Sequence, residues 1–284
     1  MNILTFDIEE WFHLLDIDSA KHHENLGNYP SRIHENLSRI LDFLDEKNLK
    51  ATFFCLGWIA QKYPAEIKEI AKKGHEVGAH SNNHQLVYEL GVSRFREDTK
   101  NVVNHLEDLT GKKVVSYRAP RFSLTDQCKW AFEILAENGI ERDSSIYPAS
   151  RSLGGFPEFG KAGPAIIKVN GITIKEFPIS INSIFGKNFV FSGGGYFRLI
   201  PYRLIHRWTE QSSYVMTYFH PRDFDPGQPR IQGIPMQRQF RYYVGLATSF
   251  SKFQTWINDF SFVDLDTADK LVNWDAVKTI IISE

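Results

Sequence analysis

Short apolar runs alternate with segments of helical periodicity along the first half of the chain. The apolar runs predict short buried strands, at residues 3–6, 51–56, 76–79 and 114–117. Between them, apolar side chains recur three or four positions apart, which predicts helices that begin near Ser31 and span residues 64–73, 92–110 and 125–138. This alternation predicts an α/β fold with a parallel sheet, either closed as a barrel or open.

The pattern becomes less regular after about residue 145. Glycine and proline are frequent at residues 148–164, which predicts a long loop, and Asn170-Gly171 predicts a hairpin turn. Further strand patterns occur at residues 166–169, 172–174, 176–179, 214–219 and 261–265, and helical patterns at 201–211 and 237–259. No break in composition marks a linker, so we expect one domain over residues 1–284, with a loop and hairpin excursion at about 148–198.

The composition narrows the possible functions. The chain has 33 Lys and Arg against 34 Asp and Glu, a net charge of −1, with 42% hydrophobic residues. These values are typical of a globular protein and argue against nucleic-acid binding. Its two cysteines, Cys55 and Cys128, exclude a disulfide framework and a cysteine zinc site. Because it has neither an apolar run of about 18 residues nor a signal-peptide pattern, we expect a cytoplasmic protein with at most peripheral membrane contact.

Ionisable side chains recur directly after the predicted strands. They are Asp7, Glu9, Glu10, His80, His84, Arg118, Asp143, His220 and Asp223, of which Asp223 is interpreted as part of a charged turn. In folds built from parallel strands, the carboxyl ends of the strands lie at one face, where binding and catalytic residues gather. We therefore expect these side chains to form one site.

Two of these side chains suggest a metal site. His80 and His84 are four residues apart, so on a helical turn they share a face and can bind one metal ion. They are equally compatible with two polar loop residues. A carboxylate from Asp7 or Glu9 would complete a set that catalytic zinc sites use, and the second carboxylate would then be free to act as a general base.

Five segments occur in an order that resembles a known family. They are Thr5-Phe6-Asp7-Ile8-Glu9, His80-Ser81-Asn82-Asn83-His84, Tyr117-Arg118-Ala119-Pro120-Arg121-Phe122, Asp143-Ser144-Ser145 and Phe219-His220-Pro221. Together they resemble the five motifs of the polysaccharide deacetylase family, also called carbohydrate esterase family 4 or the NodB-homology fold. The chain further resembles the subgroup encoded with exopolysaccharide and O-antigen biosynthesis genes, through the segments at 53–58, 143–148 and 193–199.

The resemblance implies a distorted (β/α)7-type barrel and a divalent metal, most often Zn²⁺. It implies that Asp7 is the general base, that Arg118 holds this base, and that Asp143 tunes a catalytic His220. The metal ligands that it implies are Glu9, His80 and His84. Candidates for substrate binding are Phe122, Pro120, Tyr147 and Arg198.

One departure from the family pattern concerns the metal-binding acid. The common pattern has two adjacent aspartates, whereas here Ile8 follows Asp7 and the next acid is Glu9. The resemblance therefore assigns the metal to Glu9, and Glu10 is the alternative ligand.

The activity that the resemblance implies is hydrolysis of an N-acetyl group on an amino sugar, with release of acetate. We expect the substrate to be a nucleotide- or lipid-linked glycan, such as a polysaccharide or lipopolysaccharide precursor. Two alternatives remain from the sequence: an amidohydrolase that acts on a non-sugar amide, and a non-catalytic carbohydrate-binding protein with the same fold.

Overall fold

The computed structural model describes residues 1–14, 29–151, 154–184, 187–231 and 235–282. The α-helices are α1 (Ile33–Glu46), α2 (Gly57–Lys62), α3 (Pro64–Lys72), α4 (Val87–Thr110), α5 (Ala131–Glu137), α6 (Gly194–Leu199), α7 (Tyr202–Gln211), α8 (Met236–Tyr243), α9 (Leu246–Asp259) and α10 (Leu265–Leu271). The strands are β1 (Asn2–Ile3), β2 (Thr5–Ile8), β3 (Thr52–Cys55), β4 (Glu76–Ala79), β5 (Ser116–Tyr117), β6 (Arg142–Asp143), β7 (Ser150–Arg151), β8 (Gly154–Gly155), β9 (Ala165–Val169), β10 (Ile172–Glu176), β11 (Asn182–Ile184), β12 (Lys187–Phe189), β13 (Val215–Met216) and β14 (Lys278–Ile282).

Eight strands of the described residues form one mixed sheet, in the order β14-β9-β10-β6-β5-β4-β3-β2. Strands β2 to β6 pair with one another in parallel, and β10 pairs in parallel with β6. Strand β9 runs antiparallel to β10. The hairpin predicted at Asn170-Gly171 is confirmed. Both residues have positive φ, 47° and 81°, as the tightest hairpin turns require.

The sheet curves until β2 meets the chain around β13. Strand β1 pairs in parallel with β13, and a bridge between Phe6 and Phe219 continues this line. The Asp7 amide donates to the Phe219 carbonyl at 2.7 Å, and the Phe219 amide donates to the Thr5 carbonyl at 3.2 Å. This barrel seam, formed by residues 2–7 and 215–219, closes the distorted (β/α)7-type barrel that the sequence predicts.

Apolar side chains of the strands and helices form the core around the barrel. Phe6 stacks on Phe53 of the neighbouring strand with 5.0 Å between ring centroids, and Phe219 and Phe253 pack against Phe6. The predicted apolar face of α1 is buried at Ile33, Leu37, Ile40, Leu41 and Leu44. Burial of each such side chain contributes about 1.5–3 kcal/mol to stability, so this face fixes α1 against the barrel.

Two predicted helices have different bounds. The helix predicted at 92–110 begins at Val87 and passes through Gly91, whose φ of 68° is not helical. The helix predicted at 237–259 is divided into α8 and α9 at Gly245. This glycine has a φ of 70°, in the left-handed region that favours glycine.

The C-terminal part differs more from the prediction. The strand predicted at 261–265 is reduced to a bridge at Val263, because Asp264 accepts a hydrogen bond from the Thr267 amide and begins α10. The excursion at 148–198 contains strands β7 to β12, and its residues 152–153 and 185–186 lie outside the described residues. None of the helices in the described ranges combines the length and hydropathy that a membrane span requires.

Candidate active site

Loops at the carboxyl ends of the barrel strands surround an open space of about 620 Å³, the main cavity. Its lining residues are Asp7, Glu9, His80, His84, Ala119, Arg121, Phe122, Tyr147, Ser150, Arg151, Asn188, Val190, Tyr196, Tyr218, His220 and Arg241. The barrel thus brings most of the predicted site residues to one place, as the positions after the strands suggested.

Glu9, His80 and His84 form a cluster with metal-binding geometry. One donor atom from each lies within 4.8 Å of those of the other two, and Oε2 of Glu9 is 2.7 Å from Nε2 of His84. Burial raises the pKa of Glu9, but the neighbouring His84 and His220 outweigh burial and bring it well below its usual range. The cluster therefore presents an ionised carboxylate and two imidazoles to a common point.

The hydrogen bonds around this cluster fit a bound metal ion. Both carboxylate oxygens of Glu9 are buried, and neither accepts a hydrogen bond of acceptable geometry from the described residues. Nδ1 of His80 lies 2.7 Å from the Arg118 carbonyl, which orients the ring and leaves Nε2 for a ligand bond. A buried carboxylate without hydrogen bonds is costly, and a cation between these three side chains would satisfy it.

Contacts with α2 and α4 hold the loop that carries the two histidines. Its Asn82 amide donates to Asp98 of α4 at 2.9 Å, and its Asn82 carbonyl accepts from the Trp58 amide at 2.8 Å. A Cβ on Gly57 would lie 2.0 Å from the Asn82 side chain, so α2 can approach the loop only with glycine there. Burial raises the pKa of Asp98 to about 6, although the Asn82 and Asn83 amides donate to it.

Asp7 is paired with Arg118 beneath the cavity. Nη1 of Arg118 donates to Oδ1 of Asp7 and to Oγ1 of Thr5, each at 2.7 Å. Nη2 donates to Oγ of Ser144 at 2.9 Å, and the guanidinium lies 4.3 Å from the ring centroid of Phe54. Arg118 is fully buried, so it holds the Asp7 carboxylate in one orientation.

His220 faces both acids from the opposite side of the cavity. Its Nε2 is 3.4 Å from Oε1 of Glu9 and 3.9 Å from Oδ2 of Asp7. Its Nδ1 hydrogen-bonds Oδ2 of Asp223 at 2.9 Å. Burial lowers the pKa of His220, but Glu9 and Asp223 outweigh burial and raise it to about 9.

The prediction that Asp143 partners His220 is corrected by this geometry. Asp143 accepts hydrogen bonds from the amide and hydroxyl of Ser145, at 3.2 and 2.5 Å, and it lies in register with Glu176 on the neighbouring strand. Burial raises the pKa of both acids. Asp143 therefore organises the segment behind Arg118, because the parallel pairing of β6 and β10 directs it toward Glu176.

Asp223 follows the same strand as His220, but its interpretation as part of a charged turn gave it no role in the site. It lies three positions after His220, in the 3₁₀ helix Pro221–Phe224. Burial raises its pKa, but Arg198 and His220 outweigh burial and lower it to about 2. A signal was present, since proline at the first position of a helical turn and an acid at the third are typical of a capped turn.

Arg198 was predicted to contact substrate; it lines a neighbouring cavity but not the main cavity. It is 5% exposed, forms an ion pair with Asp223, and donates to the carbonyls of Val244 and Arg241 at 3.1 and 2.9 Å. All of these partners lie within the protein. Arg198 therefore fixes the Asp223 carboxylate, which in turn holds His220. A buried carboxylate requires a cation nearby, and Arg198 is that cation.

Glu10, the alternative ligand, is turned away from the cluster. Its Oε1 accepts hydrogen bonds from the amides of Arg32 and Ile33, at 2.9 and 3.2 Å, and from the Ser31 hydroxyl. The carboxylate thus satisfies the first amides of α1, which are otherwise unpaired at a helix start. This position favours Glu9 over Glu10 as the ligand.

The remaining substrate candidates divide into two groups. Phe122 and Tyr147 line the main cavity, and Phe122 also packs against the Arg118 guanidinium at 5.6 Å. Pro120 is buried and does not line the cavity. Its place at the start of the turn Pro120–Phe122 instead directs Phe122, whose φ is 52°.

The sequence matches two family models. Residues 4–140 match the model for polysaccharide deacetylase. Residues 144–270 match the model described as a domain of unknown function, DUF3473. The site residues come from both matched regions, since residues 4–140 contain Asp7, Glu9, His80 and His84, and residues 144–270 contain His220.

Parts of the sequence also match known proteins. A peptidoglycan-N-acetylglucosamine deacetylase of Bacillus cereus is 36% identical over 96 residues, which are 34% of this chain and 35% of that protein. A peptidoglycan deacetylase of Helicobacter pylori is 28% identical over 110 residues, 39% of this chain and 36% of that protein. The matches thus span about a third of the length of these relatives.

A solved structure covers nearly the whole chain. It comes from Mycobacterium smegmatis and carries a provisional polysaccharide deacetylase description. The two chains superpose with a TM-score of 0.66 at 20% identity, over 99% of this chain and 93% of that one. This likeness confirms the fold, including the region outside the polysaccharide deacetylase match.

Proposed function

We propose that this protein is a metal-dependent hydrolase that removes an N-acetyl group from an amino sugar and releases acetate. The observation that carries the proposal is the main cavity, where the cluster of Glu9, His80 and His84 lies beside Asp7 and His220. This arrangement provides a metal site, a base and an acid around one space. The family of residues 4–140 supports the same class of reaction.

Glu9, His80 and His84 would hold the metal, and we propose zinc because its catalytic sites combine histidine and carboxylate ligands. When bound, the ion would polarise the acetyl carbonyl and make a nearby water more acidic. The Arg118 carbonyl supports this role by fixing the His80 ring. The loop bonded to Asp98 fixes the position of the second histidine.

Asp7 would act as the general base. It is not part of the metal cluster, and its carboxylate is oriented by Arg118 at 2.7 Å. The base takes a proton from water as the water oxygen bonds to the acetyl carbon. Arg118 also compensates the negative charge of the buried Asp7 carboxylate, as a buried ion pair requires.

His220 would act as the general acid. The amide C–N bond breaks only when the leaving nitrogen gains a proton, because a free amide anion is a very poor leaving group. Nε2 of His220 faces the cavity and can give that proton, while Nδ1 is held by Asp223 at 2.9 Å. Acetate and a free amino sugar result, and the proton from water restores the histidine.

More specifically, we propose that the N-acetylated sugar belongs to a polysaccharide or lipopolysaccharide precursor. The segments at 53–58, 143–148 and 193–199 support it, through their resemblance to the subgroup encoded with exopolysaccharide and O-antigen genes. Phe122 and Tyr147 on the cavity wall would contact the sugar ring. A cytoplasmic location remains part of this proposal.

Acetate release from a panel of N-acetylated sugars tests the proposal. The panel contains sugar nucleotides, lipid-linked sugars and chitin oligomers, and the metal content of the same preparation is measured. We expect about one metal ion per chain and acetate from at least one substrate. Metal-loaded protein that binds these glycans without releasing acetate would favour a carbohydrate-binding protein, and turnover of non-sugar amides alone would favour an amidohydrolase.

A further inference from the structure

An exposed apolar patch lies beside the main cavity. Its members are Tyr196 and Leu199 of α6 and Met236 and Phe240 of α8, which are 44%, 51%, 83% and 55% exposed. Met236 and Phe240 are four residues apart and therefore share one face of α8. None of the eight residues of α8 is buried, so this helix lies on the surface rather than in the core. We call these four residues the apolar patch.

The two helices that carry the apolar patch, together with α7, are basic. Helices α6, α7 and α8 contain five arginines, no lysine and one acid, Glu210. Their net charge is +4, and it is +3 without Arg198, whose charge the buried Asp223 compensates. Arg203 and Arg207 of α7 and Arg238 and Arg241 of α8 are exposed. An apolar surface flanked by arginines is complementary to a lipid interface with anionic headgroups.

The apolar patch also borders the route into the main cavity. A second cavity of about 430 Å³ is lined by Tyr196, Leu199 and Phe240 of the patch. The two cavities share the lining residues Arg121, Tyr196, Tyr218, His220 and Arg241. A group that rests on the patch therefore lies next to the space that contains the proposed acid.

We propose that the apolar patch and its flanking arginines dock onto an anionic lipid surface, and that the substrate is a glycan anchored in that surface. The second part rests on the function proposed above. A protein partner fits less well, because a partner seated on the patch would cover the mouth of the second cavity. A lipid surface that carries the glycan would instead bring the sugar to this mouth.

Vesicle binding tests the docking surface directly. Purified protein is sedimented with vesicles of phosphatidylcholine alone and of phosphatidylcholine mixed with phosphatidylglycerol. We expect binding to the mixed vesicles that weakens with added salt, and little binding to the neutral ones. Met236→Ser and Phe240→Ser should each weaken binding about tenfold, because each removes an apolar side chain that would enter the interface. The matched control is Leu271→Ser of α10, a 65% exposed leucine outside the patch, which should bind as the wild type does.

A second readout separates docking from the proposed reaction. Acetate release is compared on a soluble N-acetylated oligomer and on a lipid-anchored one in the mixed vesicles. Met236→Ser should lower only the rate on the vesicle-borne substrate. If the wild type binds the mixed vesicles but releases no acetate from either substrate, the proposed function is refuted and the docking proposal is not.

Two results would overturn the docking proposal itself. The first is equal sedimentation of wild type, Met236→Ser and Leu271→Ser with the mixed vesicles. The second is a dimer by light scattering that Met236→Ser converts to a monomer, because the apolar patch would then bind a second copy of this chain.

Discussion

Asp223 accepts a hydrogen bond from Nδ1 of His220 at 2.9 Å, and Arg198 pairs with Asp223 from the other side. Arg198, Asp223 and His220 thus form a chain of polar contacts that ends at the main cavity. Asp223 thus fixes which nitrogen of the imidazole faces the two acids of the cavity. Arg198 compensates the charge of Asp223, so this chain of contacts can be buried without an unpaired carboxylate.

We predict that Asp223→Asn lowers kcat about 10- to 100-fold while the metal content is unchanged, as expected for a residue that orients a catalytic group. Steady-state kinetics and metal analysis of the folded variant measure both effects. Asp143→Asn is the comparison, since its amide oxygen can still accept from Ser145, and we expect a much smaller loss of kcat. The reverse ranking of the two variants would return the tuning role to Asp143.

Glu9 and Glu10 should respond differently to the same substitution. Glu9→Gln removes the charge of the metal cluster, so we expect the bound metal to be lost at low free metal concentration. Glu10→Gln should keep the metal but destabilise the protein by about 0.5–2 kcal/mol, because one of the two oxygens that accept from backbone amides at the start of α1 becomes an NH2 group. Metal analysis after dialysis and chemical denaturation distinguish the two. Metal loss in Glu10→Gln alone would make Glu10 the ligand.

Removal of the Arg118 guanidinium should affect stability as well as activity. We expect Arg118→Met to lower the free energy of unfolding by about 3–5 kcal/mol, since it leaves the Asp7 carboxylate buried without its cation. Urea denaturation measures this loss. The double variant Asp7→Asn/Arg118→Met should recover part of the stability, because the unpaired charge is then absent. Simple addition of the two single effects would show that the pair is not coupled.

The stability of the protein should depend on pH through Asp98. Its pKa of about 6 in the folded protein lies above the ordinary value for aspartate, so the folded state binds more protons than the unfolded state between about pH 4 and 6. The free energy of unfolding therefore falls as pH rises through this interval. Asp98→Asn removes this effect, and we expect the variant to gain about 1–3 kcal/mol relative to the wild type at pH 7 and little at pH 4.

Denaturation of both proteins across this pH range checks the prediction. Asp108→Asn, an exposed position on the same helix, is the control and should show no such trend. A stability difference between Asp98→Asn and wild type that stays constant from pH 4 to 7 would contradict it.

The positions of the site residues were largely predictable because they follow strands of a barrel. Asp7 lies near the end of β2, Glu9 follows β2, and the loop with His80 and His84 follows β4. The barrel places these strand ends at one face. The partner of His220 was not predictable in this way. Several acids follow strands, and the choice between Asp143 and Asp223 depends on the direction of each side chain after β6 and after the barrel seam.

The fold was predictable where patterns are regular and less so elsewhere. The apolar spacing of α1 and the Asn170-Gly171 turn are local signals, and both are present in the structure. Strand β14 is exposed along much of its length, and its apolar run of Ile280, Ile281 and Ile282 is shorter than the runs that mark a buried strand. Its place beside β9 is set by long-range pairing, which local patterns do not contain.

The barrel seam separates the two proposed proton-transfer groups. Asp7 lies on one side of it and His220 on the other, and few backbone hydrogen bonds join the sides around Phe6 and Phe219. Local opening along this line would move base and acid apart while most of the sheet stays paired. Inactivation in mild denaturant should therefore precede the cooperative loss of helix signal, and ligands that bridge the two sides should protect against both.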